Sequence, residues 1–132
     1  MKTLIVEDDF IARRLLKEIL SSIGECDIAI DGEEAVQAFR MALDDKKPYD
    51  LITMDIMMPN MDGQMALKKI REMEKDRGIQ GDREVCVIMT TALDDPKTVV
   101  EAYYRGGATS YLVKPITRKK LMDEIREMHL IQ

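Results

Sequence analysis

Four apolar runs in this 132-residue chain end on residues that can do chemistry. Leu4-Ile5-Val6 runs into Glu7-Asp8-Asp9. Leu51-Ile52-Thr53-Met54 ends on Asp55, and a Pro, an Asn and Asp62-Gly63 follow. Val85-Cys86-Val87-Ile88-Met89-Thr90 delivers Thr91 and Ala92, and Ser110-Tyr111-Leu112-Val113 is closed by Lys114-Pro115. An acid at the end of a buried run is costly unless something pairs with it. The central question is therefore what meets Asp55.

Brought to one place, these groups supply carboxylates, a hydroxyl and an ammonium. Two carboxylates about 4 Å apart repel by about 4 kcal/mol at an effective dielectric near 20. Converging acids need a cation, and Lys114 offsets only one charge. Hard carboxylate oxygens suit Mg²⁺, which also takes phosphate oxygens. One His and two Cys offer no cluster for zinc or copper. A carboxylate held beside Mg²⁺, an ammonium and a hydroxyl can attack phosphorus, and the product is an aspartyl phosphate. The chain lacks a Gly-rich phosphate loop, which points away from ATP as the direct donor.

These residues meet only if the intervening elements bring them together. After Asp9, the residues Ile11, Ala12, Leu15, Leu16, Ile19, Leu20 and Ile23 recur at helical steps, and Gly24 stops the run. Cys26 to Ile30 reads as a short strand. Asp31 caps a second helix, with Ala35, Val36, Phe39 and Leu43 as its buried face. The strand ending at Asp55 precedes a third helix marked by Met65, Ala66, Leu67, Ile70 and Met73. Glu74 to Glu84 reads as a helix tail plus an exposed polar loop. After the strand from Val85, Asp94-Asp95-Pro96 opens a fourth helix that ends at Gly106-Gly107. A fifth helix runs from about Thr117 to His129, with Leu121, Met122, Ile125 and Met128 facing in.

The pattern is β-α repeated five times. Helical crossovers imply a parallel sheet with helices on both faces, a doubly wound α/β fold. In such folds functional groups gather at the carboxyl ends of the strands. Four strand ends then place Glu7-Asp8-Asp9, Asp55, Thr91 and Lys114 on one rim. The second strand offers only Asp31, which helix capping explains.

The bulk properties fit one domain over residues 1–132. A formal net charge of −5 gives no support for binding nucleic acid or an anionic membrane. The first apolar run is too short for a signal peptide, and no run has membrane-spanning length. The expected location is the cytoplasm, with Cys26 and Cys86 as reduced, core-lining thiols. His129 reads as a surface residue near a frayed helix end.

The residues carrying this pattern resemble the receiver domain of two-component response regulators, of the stand-alone chemotaxis-regulator kind. The resemblance runs from Leu4 to about Met128. It rests on the acidic pair after the first strand, Asp55 with Met58-Pro59 and Asp62-Gly63 behind it, Thr91-Ala92, and Gly107-Ala108 leading to Tyr111-Leu112-Val113-Lys114-Pro115. The resemblance, not the periodicity, supplies a flavodoxin-like five-stranded sheet of order 2-1-3-4-5 with five helices. It implies that Asp8 and Asp9 bind Mg²⁺ together with Asp55 and the Met57 backbone carbonyl. It implies that Asp55 is the phospho-acceptor, with Thr91 and Lys114 sensing the phosphate and Tyr111 as the switch aromatic. Glu7 stands as an additional acid ahead of the pair. Thr90 and Thr91 are adjacent candidates for the sensor; spacing to Gly107-Ala108 and the small Ala92 favour Thr91. The Lys114-Pro115 peptide is expected to be cis.

The same resemblance implies a phosphorylation-dependent switch with no output domain. A sensor histidine kinase would phosphorylate Asp55, and a downstream protein would read the face of the fourth helix, fifth strand and fifth helix. Tyr104, Lys119 and Lys120 are candidate contacts there. A phosphorelay intermediate that passes phosphate to another histidine fits the same residues. An Mg²⁺-dependent phosphatase with an aspartate nucleophile fits less well, because the position two residues after Asp55 is Met57 and not an acid. Apolar Met57 and Leu93 flank the expected path of a hydrolytic water, which implies slow self-dephosphorylation.

Overall fold

Five parallel strands form one sheet in the order β2-β1-β3-β4-β5. The computed structural model describes residues 1–92 and 107–132. The strands are β1 (Lys2–Val6), β2 (Glu25–Ala29), β3 (Leu51–Asp55), β4 (Cys86–Thr91) and β5 (Ser110–Val113). The described helices are α1 (Phe10–Leu20), α2 (Gly32–Asp44), α3 (Gly63–Asp76) and the C-terminal α4 (Arg118–Glu127). A 3₁₀ turn at Gly81–Arg83 precedes β4. The helix expected from Asp94 to Gly106, with Leu93 and Tyr104, lies outside the described residues.

Each strand forms where the apolar run dictates, because β1, β3 and β4 are covered on both faces and lose nothing by being apolar throughout. One core packs α2 and α3 against Leu4, Val6, Ile52, Met54, Val87 and Met89. The other packs α1 and α4 against Ile5, Leu51 and Ile88. The two sets alternate along each strand, as the two-residue period requires. Burying one such Leu or Ile side chain contributes about 1.5–3 kcal/mol.

Polar side chains start every described α-helix. Asp9, Asp31, Asp62 and Thr117 accept from the amides of Ala12, Glu34, Met65 and Lys120. These caps satisfy N–H groups that the first turn leaves without partners.

Two local readings change in three dimensions. The apolar stripe of α1 is wider than its buried face: Leu16, Ile19 and Leu20 are buried, whereas Ile11 and Leu15 are exposed. Glu74, read as the start of a polar helix tail, is buried. It lies inside α3, accepts from the Val85 amide at 2.7 Å and pairs with Arg71 at 2.6 Å. Those two donors offset its burial.

Candidate functional site

Alternation and register bring the acids and the lysine to one face. Ile5 pairs with Thr53, and Asp55 pairs with Thr90. Registered partners in a parallel sheet share a face, so Ile5, Thr53, Asp55 and Thr90 point the same way. One period past Ile5, Glu7 joins that face at the strand end. Lys114 follows β5, and its backbone N–H donates to the Thr91 carbonyl at 2.7 Å. The Lys114-Pro115 peptide is cis.

The Lys114 ammonium donates to Glu7 Oε1 at 2.7 Å and to Asp55 Oδ2 at 3.5 Å. Glu7 is fully buried at 0% exposure and Asp55 is buried at 6%. Oxygens of Glu7, Asp8 and Asp55 lie within 4.8 Å of one another, with Asp8 open to solvent. Burial pushes the Glu7 carboxyl above its ordinary range, and Asp55 adds to that against the pull of Lys114. For Lys114 burial opposes the charge, but the Glu7 hydrogen bond and the Asp55 charge outweigh it and hold the ammonium above its usual value.

The acids that converge here are Glu7, Asp8 and Asp55, where Asp8 and Asp9 were the pair expected. Asp9 was expected beside Asp8, yet its carboxylate caps α1 on the Ala12 amide at 2.9 Å. Glu7, expected as an additional acid, takes the inner place. The signal was present in the alternation of β1, which puts Glu7 on the face of Ile5, and in the capping rule that claims Asp9 for the helix.

The loop after β3 holds Asp55 at the rim. The Met57 amide donates to Asp55 Oδ1 at 3.2 Å, while the Met57 side chain is exposed. The Gly63 amide donates to the Ile56 carbonyl at 2.9 Å. A Cβ at Gly63 would overlap the Asp55 carbonyl oxygen, so only glycine lets α3 start this close to β3. Asn60 adopts the left-handed region at φ 66° and donates from its side chain to Asp31 Oδ2 at 2.9 Å. Asp31 therefore does more than cap α2: it ties the β3–α3 loop to the end of β2.

Thr91 is buried at the end of β4, and Tyr111 is partly exposed on β5. Tyr111 pairs with Met89 and therefore lies on the opposite face of the sheet from Asp55. Among the described residues, the donor set is carboxylate only, faces one ammonium, and lies at strand ends next to solvent. Its hard oxygens fit a small divalent cation such as Mg²⁺.

The sequence model of the response regulator receiver domain matches residues 3–126. The chain belongs to this family. The receiver domain is 35% identical over 126 residues to the chemotaxis protein CheY of Treponema pallidum, covering 94% of this chain and 79% of that protein. Among solved structures, it is similar to the CheX–CheY–BeF₃–Mg complex from Borrelia burgdorferi, with TM-score 0.83, 31% identity and coverage of 99% and 90%. It is also similar to the co-crystal of the histidine phosphotransfer protein Ypd1 with the receiver domain of Ssk1 from Saccharomyces cerevisiae. There the TM-score is 0.84, the identity 29% and the coverage 97% and 88%. The chain spans only 47% of the length of another curated relative, the probable transcriptional regulator ycf27 of Cyanophora paradoxa. Receiver domains of this kind are signalling switches, and the strand order 2-1-3-4-5 of this receiver is the one the family resemblance implied. No helix among the described residues is long and apolar enough to cross a membrane.

Proposed function

We propose that this receiver is a cytoplasmic, phosphorylation-dependent switch that accepts a phosphoryl group on Asp55. One observation carries the reading. Asp55 is a buried carboxylate at a strand end, with an ammonium at 3.5 Å and two further acids at the same rim. An Asp55 carboxylate oxygen attacks phosphorus, the donor's P–N or P–O bond breaks, and the leaving group takes the bond's electron pair. Glu7 orients Lys114, Lys114 meets charge developing on the phosphoryl oxygens, and Thr91 at the end of β4 donates to one of them. Glu7, Asp8 and Asp55, with the Met57 carbonyl, would hold Mg²⁺, which when bound neutralises phosphoryl and carboxylate charge. Asp9 contributes through the α1 cap. Tyr111 reports the change on the β5 side of the domain, where a downstream protein reads it.

A sensor histidine kinase is the donor in this reading, and no output domain within residues 1–132 is invoked. A relay role, in which Asp55 passes phosphate to a second histidine, is supported by the similarity to a receiver solved with a phosphotransfer protein. The test uses the whole chain with Mg²⁺ and a small phospho-donor, or with beryllofluoride. The expected result is one added phosphoryl group in wild type and none in Asp55→Asn. Equal modification of the two proteins, or none in either, would overturn the proposal.

A further inference from the structure

Two buried hydroxyls have no place in the reading above. Among the described residues, Thr53 Oγ1 and Thr90 Oγ1 are buried side-chain oxygens without a hydrogen-bond partner. An unpaired buried hydroxyl is unfavourable, because water would have satisfied it in the unfolded chain. Their surroundings differ. Thr53 pairs with Ile5 and Ile88, both apolar. Thr90 pairs with Asp55 on one side and Leu112 on the other.

The path of Lys114 decides between them. Strand β4 lies between β3 and β5. The Lys114 ammonium starts beyond β5 yet reaches Asp55 on β3 and Glu7 beyond β1. Its stem must cross the end of β4 on the Asp55 face. Thr90 lies on that face at the register of Asp55 and of Leu112, two residues before Lys114. An ammonium has three donors, and Glu7 and Asp55 engage two. A hydroxyl both donates and accepts, so Thr90 suits either member of the Asp55–Lys114 pair. Thr53 lies one period deeper, away from both.

We infer that Thr90 is a positioning residue of the phosphorylated state: its buried hydroxyl, unpaired at rest, hydrogen-bonds the Asp55–Lys114 pair once a phosphoryl group on Asp55 rearranges that pair. This rests on Asp55 being the phospho-acceptor. A group unpaired at rest and paired when phosphorylated biases the equilibrium towards the phosphorylated form. Removing the hydroxyl then favours the resting form.

The test compares wild type, Thr90→Val, Thr90→Ser, Thr53→Val and Asp55→Asn. Two quantities are read: the urea midpoint of the metal-free protein, and the beryllofluoride affinity at fixed Mg²⁺ from tyrosine fluorescence. We expect Thr90→Val to keep or raise the midpoint while weakening beryllofluoride binding roughly three- to tenfold, the size of one net hydrogen bond. Thr90→Ser restores wild-type affinity, and Thr53→Val leaves it unchanged while also keeping or raising the midpoint. Equal affinity of Thr90→Val and wild type, with Asp55→Asn inactive, overturns this inference alone. Equal loss in Thr53→Val assigns the effect to packing and overturns it as well. No Asp55-dependent signal in wild type overturns both this inference and the proposed function.

Discussion

Lys114 is the residue on which the site's charge balance turns. It faces a fully buried Glu7 at 2.7 Å and a buried Asp55 at 3.5 Å. Removing one member of a buried pair leaves the other charge uncompensated, which is worse than removing both. The lysine side chain is 22% exposed, so solvent moderates the effect. Lys114→Met should cost about 2 kcal/mol in urea unfolding at neutral pH in EDTA. Millimolar Mg²⁺ should restore part of that loss, because it replaces the missing positive charge. A variant as stable as wild type in EDTA would show that Glu7 and Asp55 do not depend on the ammonium.

The informative elements are the two loops that meet beside β3. Asp31 accepts from the Glu34 amide and from the Asn60 side chain. Gly32 donates to the Met61 carbonyl at 3.1 Å, and a Cβ there would overlap the same oxygen. The cap of α2 thus also fixes the loop that follows Asp55. The Glu34 amide and the Asn60 side chain together hold the Asp31 carboxyl below its ordinary value of 3.8. A depressed carboxyl stabilises the fold fully above its unfolded pKa and loses that contribution as pH falls through the folded pKa. Asp31→Asn keeps the shape and removes the charge, and the Asn60 amide can turn over so that its oxygen accepts from the new NH₂. It should be less stable than wild type by about 0.5–1 kcal/mol at pH 7, typical of a charged group at a helix N-terminus. The gap should close as pH falls below 3.8 in acid titrations of the urea midpoint. A gap independent of pH would mean that the charge on Asp31 adds nothing.

At the scale of the whole molecule, the sheet separates two cores and concentrates charge on one rim. Cys26 and Cys86 illustrate the spacing this imposes. They share one register row, with Thr3 and Leu51 between them. Three strand steps of about 4.8 Å put them far beyond the reach of a disulfide. Burial pushes both thiols above their usual range, consistent with reduced structural residues. The proposed cation site on the acidic rim links Mg²⁺ to the global fold. A ligand that binds only the folded state contributes about 2.7 kcal/mol at a hundred times its dissociation constant. Mg²⁺ should therefore raise the unfolding midpoint of wild type progressively. Asp8→Asn removes a rim acid that is exposed and lies away from the core, so it should abolish most of that gain without lowering the metal-free midpoint. An unchanged Mg²⁺ dependence in this variant would remove Asp8 from the cation site.

The sequence by itself determined the parts whose signal is local. Apolar runs marked four of the five strands, the short segment Cys26 to Ile30 marked the other, and the change of period marked the helices. The cap at Asp31 follows from the residue type next to one of those changes. The placement of Asp55, Thr91 and Lys114 at strand ends was legible because each ends an apolar run. Only the tertiary structure decided which groups touch. Glu7 and Lys114 are 107 positions apart, and their contact exists because β1 and β5 lie in one sheet with β3 and β4 between them. It also decided that Asp9 serves the helix while Glu7 turns inward, that Asp31 holds Asn60, and that Glu74 is buried against the start of β4. Spacing along a chain records which face a residue takes within its own element. What lies opposite that face depends on the order in which the strands assemble.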